Sequence, residues 1–149
     1  MSKILPYLYI GDIDDVTNHN WLHSEGITHI VNCAKELDTG NICESFSYLK
    51  LSFDDAPDEK LLPRVKKAHD FIRKAMNGKG KVLVHCYAGI SRSVSTACFH
   101  LMHEYGISFD EALRVIKRSR RIANPNSGFK KQLKSLFPRK RRYKLKAFF

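Results

Sequence analysis

The chain has 149 residues, 43% of them hydrophobic and 28% charged, which fits one ordinary globular domain and excludes disorder throughout. Its net charge of +11 is unevenly placed: residues 1–111 hold 12 Lys/Arg against 15 Asp/Glu, whereas residues 112–149 hold 14 Lys/Arg and no acid. No apolar run approaches the ~20 residues that cross a bilayer, and Cys33, Cys43, Cys86 and Cys98 form no Cys-x-x-Cys pair, which excludes the zinc-site and thioredoxin spacings.

Met1-Ser2-Lys3 is expected to lead into a strand without a signal peptide, and Ser2 excludes N-myristoylation. Leu8-Tyr9-Ile10, after Pro6 and bounded by Gly11, predicts an edge strand. Asp14 to Glu25 predicts one helix with Val16 and Leu22 inward, ended by Gly26. Ile27 to Cys33 is β-branched and apolar, a buried strand, and residues 34–45 with Gly40 and Asn41 read as a loop. Phe46 to Phe53 alternates as a strand.

Apolar residues at 61, 65, 68, 72 and 75 predict a helix from Leu61 to Met76, closed by Asn77-Gly78. Val82-Leu83-Val84 predicts a strand buried on both faces. Ser91 to Tyr105 reads as a helix stopped by Gly106, and Ser108-Phe109-Asp110-Glu111 as a capping box opening the next. Asn126 or Ser127 caps a last helix through Leu136, stopped by Pro138. Strands alternate with helices early and helices dominate late. The expected fold is therefore α/β, a central mostly parallel sheet flanked by helices over residues 1–138, followed by a basic tail over 139–149.

The chemistry concentrates in Val84-His85-Cys86-Tyr87-Ala88-Gly89-Ile90-Ser91-Arg92-Ser93. A buried strand ends at a cysteine, a short loop with one glycine follows, and a helix begins. That places Cys86 at the carboxyl edge of a parallel sheet, where α/β folds bind ligands. A tight loop of this length can turn successive N–H groups inward as an anion nest, and the helix behind it adds its N-terminal partial charge. Both features favour a thiolate, and both favour a phosphate. Arg92 offers a planar fork suited to two phosphate oxygens.

His85-Cys86-Tyr87-Ala88-Gly89-Ile90-Ser91-Arg92-Ser93 resembles the His-Cys-x5-Arg-Ser/Thr signature of the cysteine-dependent protein tyrosine phosphatases, and its wording is similar to the dual-specificity branch. Tyr7 to Gly11, Gly26 to Asn32, and Arg121 to Phe129 with Gln132-Leu133 are similar to the family's opening, second-strand and closing segments. The resemblance implies a protein tyrosine phosphatase-like fold and hydrolysis of phosphotyrosine and phosphoserine/threonine on proteins through a phosphocysteine, with no metal or other cofactor. It implies Cys86 as nucleophile, and Arg92 with the N–H groups of Tyr87, Ala88, Gly89, Ile90, Ser91 and Arg92 as the phosphate cradle. Ser93 would donate to the departing sulfur, and His85 would orient the cysteine. The family's general acid is an aspartate on a loop some thirty residues before the cysteine. Asp54 and Asp55 both compete for that role. Asp55 is the expected acid because Asp55-Ala56-Pro57 is similar to the family's acid loop, and Asp58 reads as a helix-start charge.

The loop holds no lysine of the kind lipid phosphatases of the superfamily carry, so that class is disfavoured, as are the RNA 5′-triphosphatase relatives. The chain reads as a small single-domain member acting on phosphorylated proteins in a reducing cytosol or nucleus. Arg139-Lys140-Arg141-Arg142 with Lys144 and Lys146 fits a nuclear localisation signal, or a tail that meets another anionic partner, nucleic acid or a membrane surface. His19 with His23, and His100 with His103 and Glu104, lack a complete ligand set and are expected to be ordinary surface or core side chains. Cys33, Cys43 and Cys98 are expected to be plain thiols.

Overall fold

A computed structural model describes residues 1–38 and 44–136. Five strands lie in the order β1-β2-β5-β3-β4: β1 (Ser2–Leu5), β2 (Leu8–Gly11), β3 (His29–Ala34), β4 (Ser47–Phe53) and β5 (Val82–His85). β1 pairs antiparallel with β2, and every other neighbouring pair is parallel. The expected edge strand at Leu8–Ile10 is therefore an interior one. The turn at Pro6 and Tyr7 folds β1 back along it, and all four residues of β2 are buried.

Side chains alternate across the sheet as the period of two requires. Leu8, Ile10, Val31, Cys33, Val82 and Val84 face the larger core. Tyr9, Ile30 and Leu83 face a smaller one that also holds Val16, Leu22, Ile27 and Phe46. Both faces being covered explains why β3 and β5 read as continuous apolar runs.

The smaller core is closed by two short helices, α1 (Ile13–Thr17) and α2 (His19–Ser24), where the sequence predicts one. Val16 and Leu22 do point inward, but Asn18 is non-helical and its side chain accepts from Trp21 N–H at 3.2 Å, starting α2 afresh. The larger core is closed by α3 (Leu62–Asn77), α4 (Arg92–Tyr105), α5 (Phe109–Ser119) and α6 (Ser127–Lys134). Leu61, Val65, Ala68, Ile72 and Ala75 are all buried, the stripe the periodicity predicts. Ser108 caps α5 and Asn126 caps α6. Pro138 and the tail lie outside the described residues.

α4 runs through the middle, with 13 of its 14 residues buried although it opens Arg-Ser-Val-Ser-Thr. Two hydroxyls of its first turns are satisfied one turn back: Ser95 donates to Ser91 O at 2.7 Å and Thr96 to Arg92 O at 2.9 Å. At the other end of the molecule's chain order, Gly128 in the first turn of α6 lies against the Pro57 carbonyl, where a Cβ would overlap the backbone. The bare glycine is what lets α6 close onto the 54–58 loop. Gly128→Ala should therefore lower stability by roughly 1–3 kcal/mol, as overpacking does, measured by urea unfolding. A variant as stable as wild type would show that the two segments can part freely.

Candidate active site

β5 ends at His85 and α4 begins at Arg92, so Cys86 to Ser91 bridge a sheet edge and a helix N-terminus. Gly89 N–H donates to Cys86 Sγ at 3.3 Å, and Ser93 Oγ lies 3.2 Å from the same sulfur. Gly89 has φ +68°, the left-handed conformation that lets the loop reverse, and a Cβ there would lie 2.7 Å from Gly11 O. Ser91 Oγ accepts from Asn126 N–H at 2.9 Å, tying the loop to the start of α6.

Arg92 is nearly buried, its side chain 8% exposed. Its Nη1 donates to the Glu36 carboxylate, including Oε2 at 3.0 Å, and to Phe53 O at 3.2 Å. Burial is the largest single influence and works against the Arg92 charge, but the bond to Glu36 and the attraction of Cys86, Glu36 and Asp55 together outweigh it and hold the guanidinium above its ordinary value. All of these bonds leave from Nη1. The Nε–Nη2 edge of the fork takes no partner among the described residues, and Arg92 lines the cleft.

That cleft, about 400 Å³, is lined by Glu36, Asp55, Cys86, Tyr87, Ala88, Ile90, Ser91 and Arg92. The two competing acids separate here. Asp55 lines the cleft and accepts from Asn126 Nδ2 at 2.9 Å, whereas Asp54 does not line it and faces Lys35 Nζ at 4.0 Å. Asp58 is exposed outside the lining. Glu36 and Asn126 went unrecognised as site residues in the sequence. Glu36 follows β3 at the same carboxyl edge of the sheet as Cys86, a position that could have drawn notice. Asn126 was legible as a helix cap and as part of the segment similar to the family's closing one, not as a partner of Asp55.

The other thiols are differently placed. Cys33 and Cys98 are fully buried, and burial pushes both up, with the neighbouring Cys86 adding to the effect on Cys33. Cys43 lies outside the described residues. His19 and His23 pack against Phe46, and His100 is buried with Tyr7 Oη 2.7 Å from its Nε2. His85 is buried, and its Nδ1 donates to Cys86 O at 3.4 Å. Burial pushes His85 down to about 4, so the ring is neutral near pH 7.

Residues 8–138 match the family model described as "Dual specificity phosphatase, catalytic domain". The chain belongs to the dual-specificity phosphatase family. It is 38% identical over 133 residues to rat "Dual specificity protein phosphatase 15", covering 89% of this chain and 56% of that protein. It is 39% identical over 132 residues to human "Protein phosphatase Slingshot homolog 3", covering 89% of this chain and 20% of that one. The chain thus spans little more than half the length of the first and a fifth of the second. Among solved structures it is similar to DUSP15, with a TM-score of 0.85 and 33% identity over 91% of this chain and 85% of that one. It is likewise similar to the human tyrosine phosphatase-like serine/threonine/tyrosine-interacting protein, with a TM-score of 0.84 and 32% identity over 91% and 93%. The α/β fold of this dual-specificity phosphatase family chain is the one its sequence implies.

The neutral His85 under the loop has a consequence for stability. An unfolded histidine titrates near 6.5, and the folded one near 4. Between those values the unfolded chain holds the extra proton, so stability is full above pH 6.5 and falls as pH drops towards 4, by about 3 kcal/mol from this residue. His100, lowered by burial, adds in the same direction. Denaturant unfolding of wild type and His85→Asn across pH 4 to 7.5 should give a flatter pH dependence in the variant, and equal slopes would contradict the neutral buried ring.

Proposed function

We propose that this chain is a protein phosphatase that hydrolyses phosphotyrosine and phosphoserine/phosphothreonine through a phosphocysteine intermediate. The observation that carries the reading is convergence: the Cys86 sulfur, the Arg92 fork and the Asp55 carboxylate meet in one cleft. Family membership supports the same chemistry.

The phosphoryl group sits over the loop, its equatorial oxygens on the inward N–H groups of residues 87–92 and on the Nε–Nη2 edge of Arg92. Charge that develops there meets donors already in place. The Cys86 thiolate attacks phosphorus, an S–P bond forms, the P–O bond to the side chain of the substrate breaks, and protonated Asp55 gives its proton to the leaving oxygen. A water molecule then attacks phosphorus, Asp55 takes its proton, and the S–P bond breaks with its electron pair returning to sulfur. Ser93, 3.2 Å from that sulfur, donates a hydrogen bond to it as it leaves. Orthophosphate is released. Asn126 holds Asp55 on the leaving-group side. Glu36 and Phe53 O occupy Nη1 of Arg92 without occupying the edge the phosphate needs.

Turnover of an aryl phosphate and of phosphotyrosine and phosphothreonine peptides tests the assignment. Cys86→Ser should fold and lose turnover, because a hydroxyl is not ionised near neutrality. A Cys86→Ser protein with near-wild-type turnover would remove the nucleophile from the account.

Asp55→Asn should lower kcat by roughly 10²–10⁴-fold for substrates whose leaving oxygen needs a proton, and far less for activated aryl phosphates. Asp54→Asn, altering a residue paired with Lys35 outside the cleft, should change little. A reversed ranking of the two would make Asp54 the acid.

A further inference from the structure

We propose that Arg120 is a positioning residue that holds the 86–92 loop in its anion-binding shape. The proposal rests on the phosphate-cradle reading of that loop. A loop that turns its N–H groups towards an anion must turn its carbonyls away, and each carbonyl it buries needs a donor behind it. Tyr87 O is met by Ile13 N–H at 3.0 Å, and Ile90 O by Asn124 N–H at 2.8 Å, both backbone groups. The two carbonyls between them are met by one side chain. Arg120 Nε donates to Gly89 O at 2.7 Å, and its Nη2 reaches Ala88 O at 3.5 Å. Nη1 donates to Ser2 Oγ at 3.1 Å, which anchors the third arm on β1.

The apex of the loop therefore rests on a single guanidinium, 9% exposed and behind the loop rather than among the residues lining the cleft. Its planar fork spans two successive carbonyls, which the point charge of a lysine cannot do. The conformation at the apex is fitted to it: a Cβ on Gly89 would run into the Arg120 guanidinium and Gly11 O. The fixed cation also lies on the far side of the loop from the bound anion, where it adds to the potential that attracts it. Arg120 itself is set by its backbone at the end of α5, its N–H on Ile116 O at 2.9 Å and its carbonyl on Ala123 N–H at 3.1 Å. Replacing the side chain leaves those bonds in place.

Tungstate affinity by titration calorimetry, with kcat and KM for an aryl phosphate, separates positioning from mere stability in wild type, Arg120→Lys and Arg120→Met. The folded Arg120→Met protein should bind tungstate about tenfold more weakly or worse, the scale of an unsatisfied buried carbonyl in the cradle, with a matching fall in kcat/KM. Arg120→Lys should fall between it and wild type, because it restores the charge without the fork. A purely structural role would lower the melting temperature and leave the affinity of the folded protein unchanged. Folded Arg120→Met that binds tungstate as wild type does overturns the proposal, and if that variant does not fold, wild-type affinity in Arg120→Lys overturns it instead. Wild-type protein that fails to bind tungstate overturns the phosphate-cradle reading and this proposal with it.

Discussion

In the proposed phosphate cradle, the residues between a buried strand and a buried helix turn their N–H groups to one side, and the carbonyls that this sends to the other need donors of their own. Backbone donors from α1 and from the loop before α6, and the guanidinium of Arg120, meet those carbonyls in turn. Elements far apart in the chain thus converge on the loop from behind. A buried carbonyl left without a donor costs about 1–3 kcal/mol, so the loop holds its shape only while these elements stay docked. α4 makes the docking rigid, since it is buried along almost its whole length and its Ser95 and Thr96 hydroxyls bond to carbonyls one turn back.

The 54–58 loop is governed by the same docking. Asp55 sits on an exposed turn with no regular structure of its own, and its carboxylate is located by Asn126. Asn126 does three things with three groups: its side-chain oxygen caps α6 at Phe129 N–H, its amide holds Asp55, and its backbone N–H reaches Ser91 Oγ. Asp55, the proposed general acid, and the 86–92 loop, the proposed phosphate cradle, are therefore fixed to one residue. Gly128, two positions on, allows the close approach that brings α6 against the Asp55 loop.

The part of the site that was legible in the sequence is the part whose geometry is local. Cys86, Gly89, Arg92 and Ser93 lie within one strand-loop-helix turn, so spacing alone predicts their proximity. The periodic stripe of α3 was legible for the same reason, because 61, 65, 68, 72 and 75 share a face whatever they pack against. Glu36 meets Arg92 across 56 residues and Asn126 meets Asp55 across 71, and no local pattern ties either residue to its distant partner. Asp54 and Asp55 look alike as neighbours, and only the fold sends one to Lys35 and the other to the cleft. The misread stretches have local causes too. Asn18 competes with the helix through its own side chain, and β2 looked like an edge because its partner β1 is short and reached through a tight turn at Pro6.

The central claim is that phosphorus passes through the Cys86 sulfur while held in the loop. It is tested most directly by a denaturing quench of the protein during steady turnover of a radiolabelled aryl phosphate, followed by peptide mapping. The account predicts label on the peptide that carries Cys86, bound through sulfur and absent from Cys86→Ser. Turnover with no labelled protein, or label on a peptide that excludes Cys86, would contradict it.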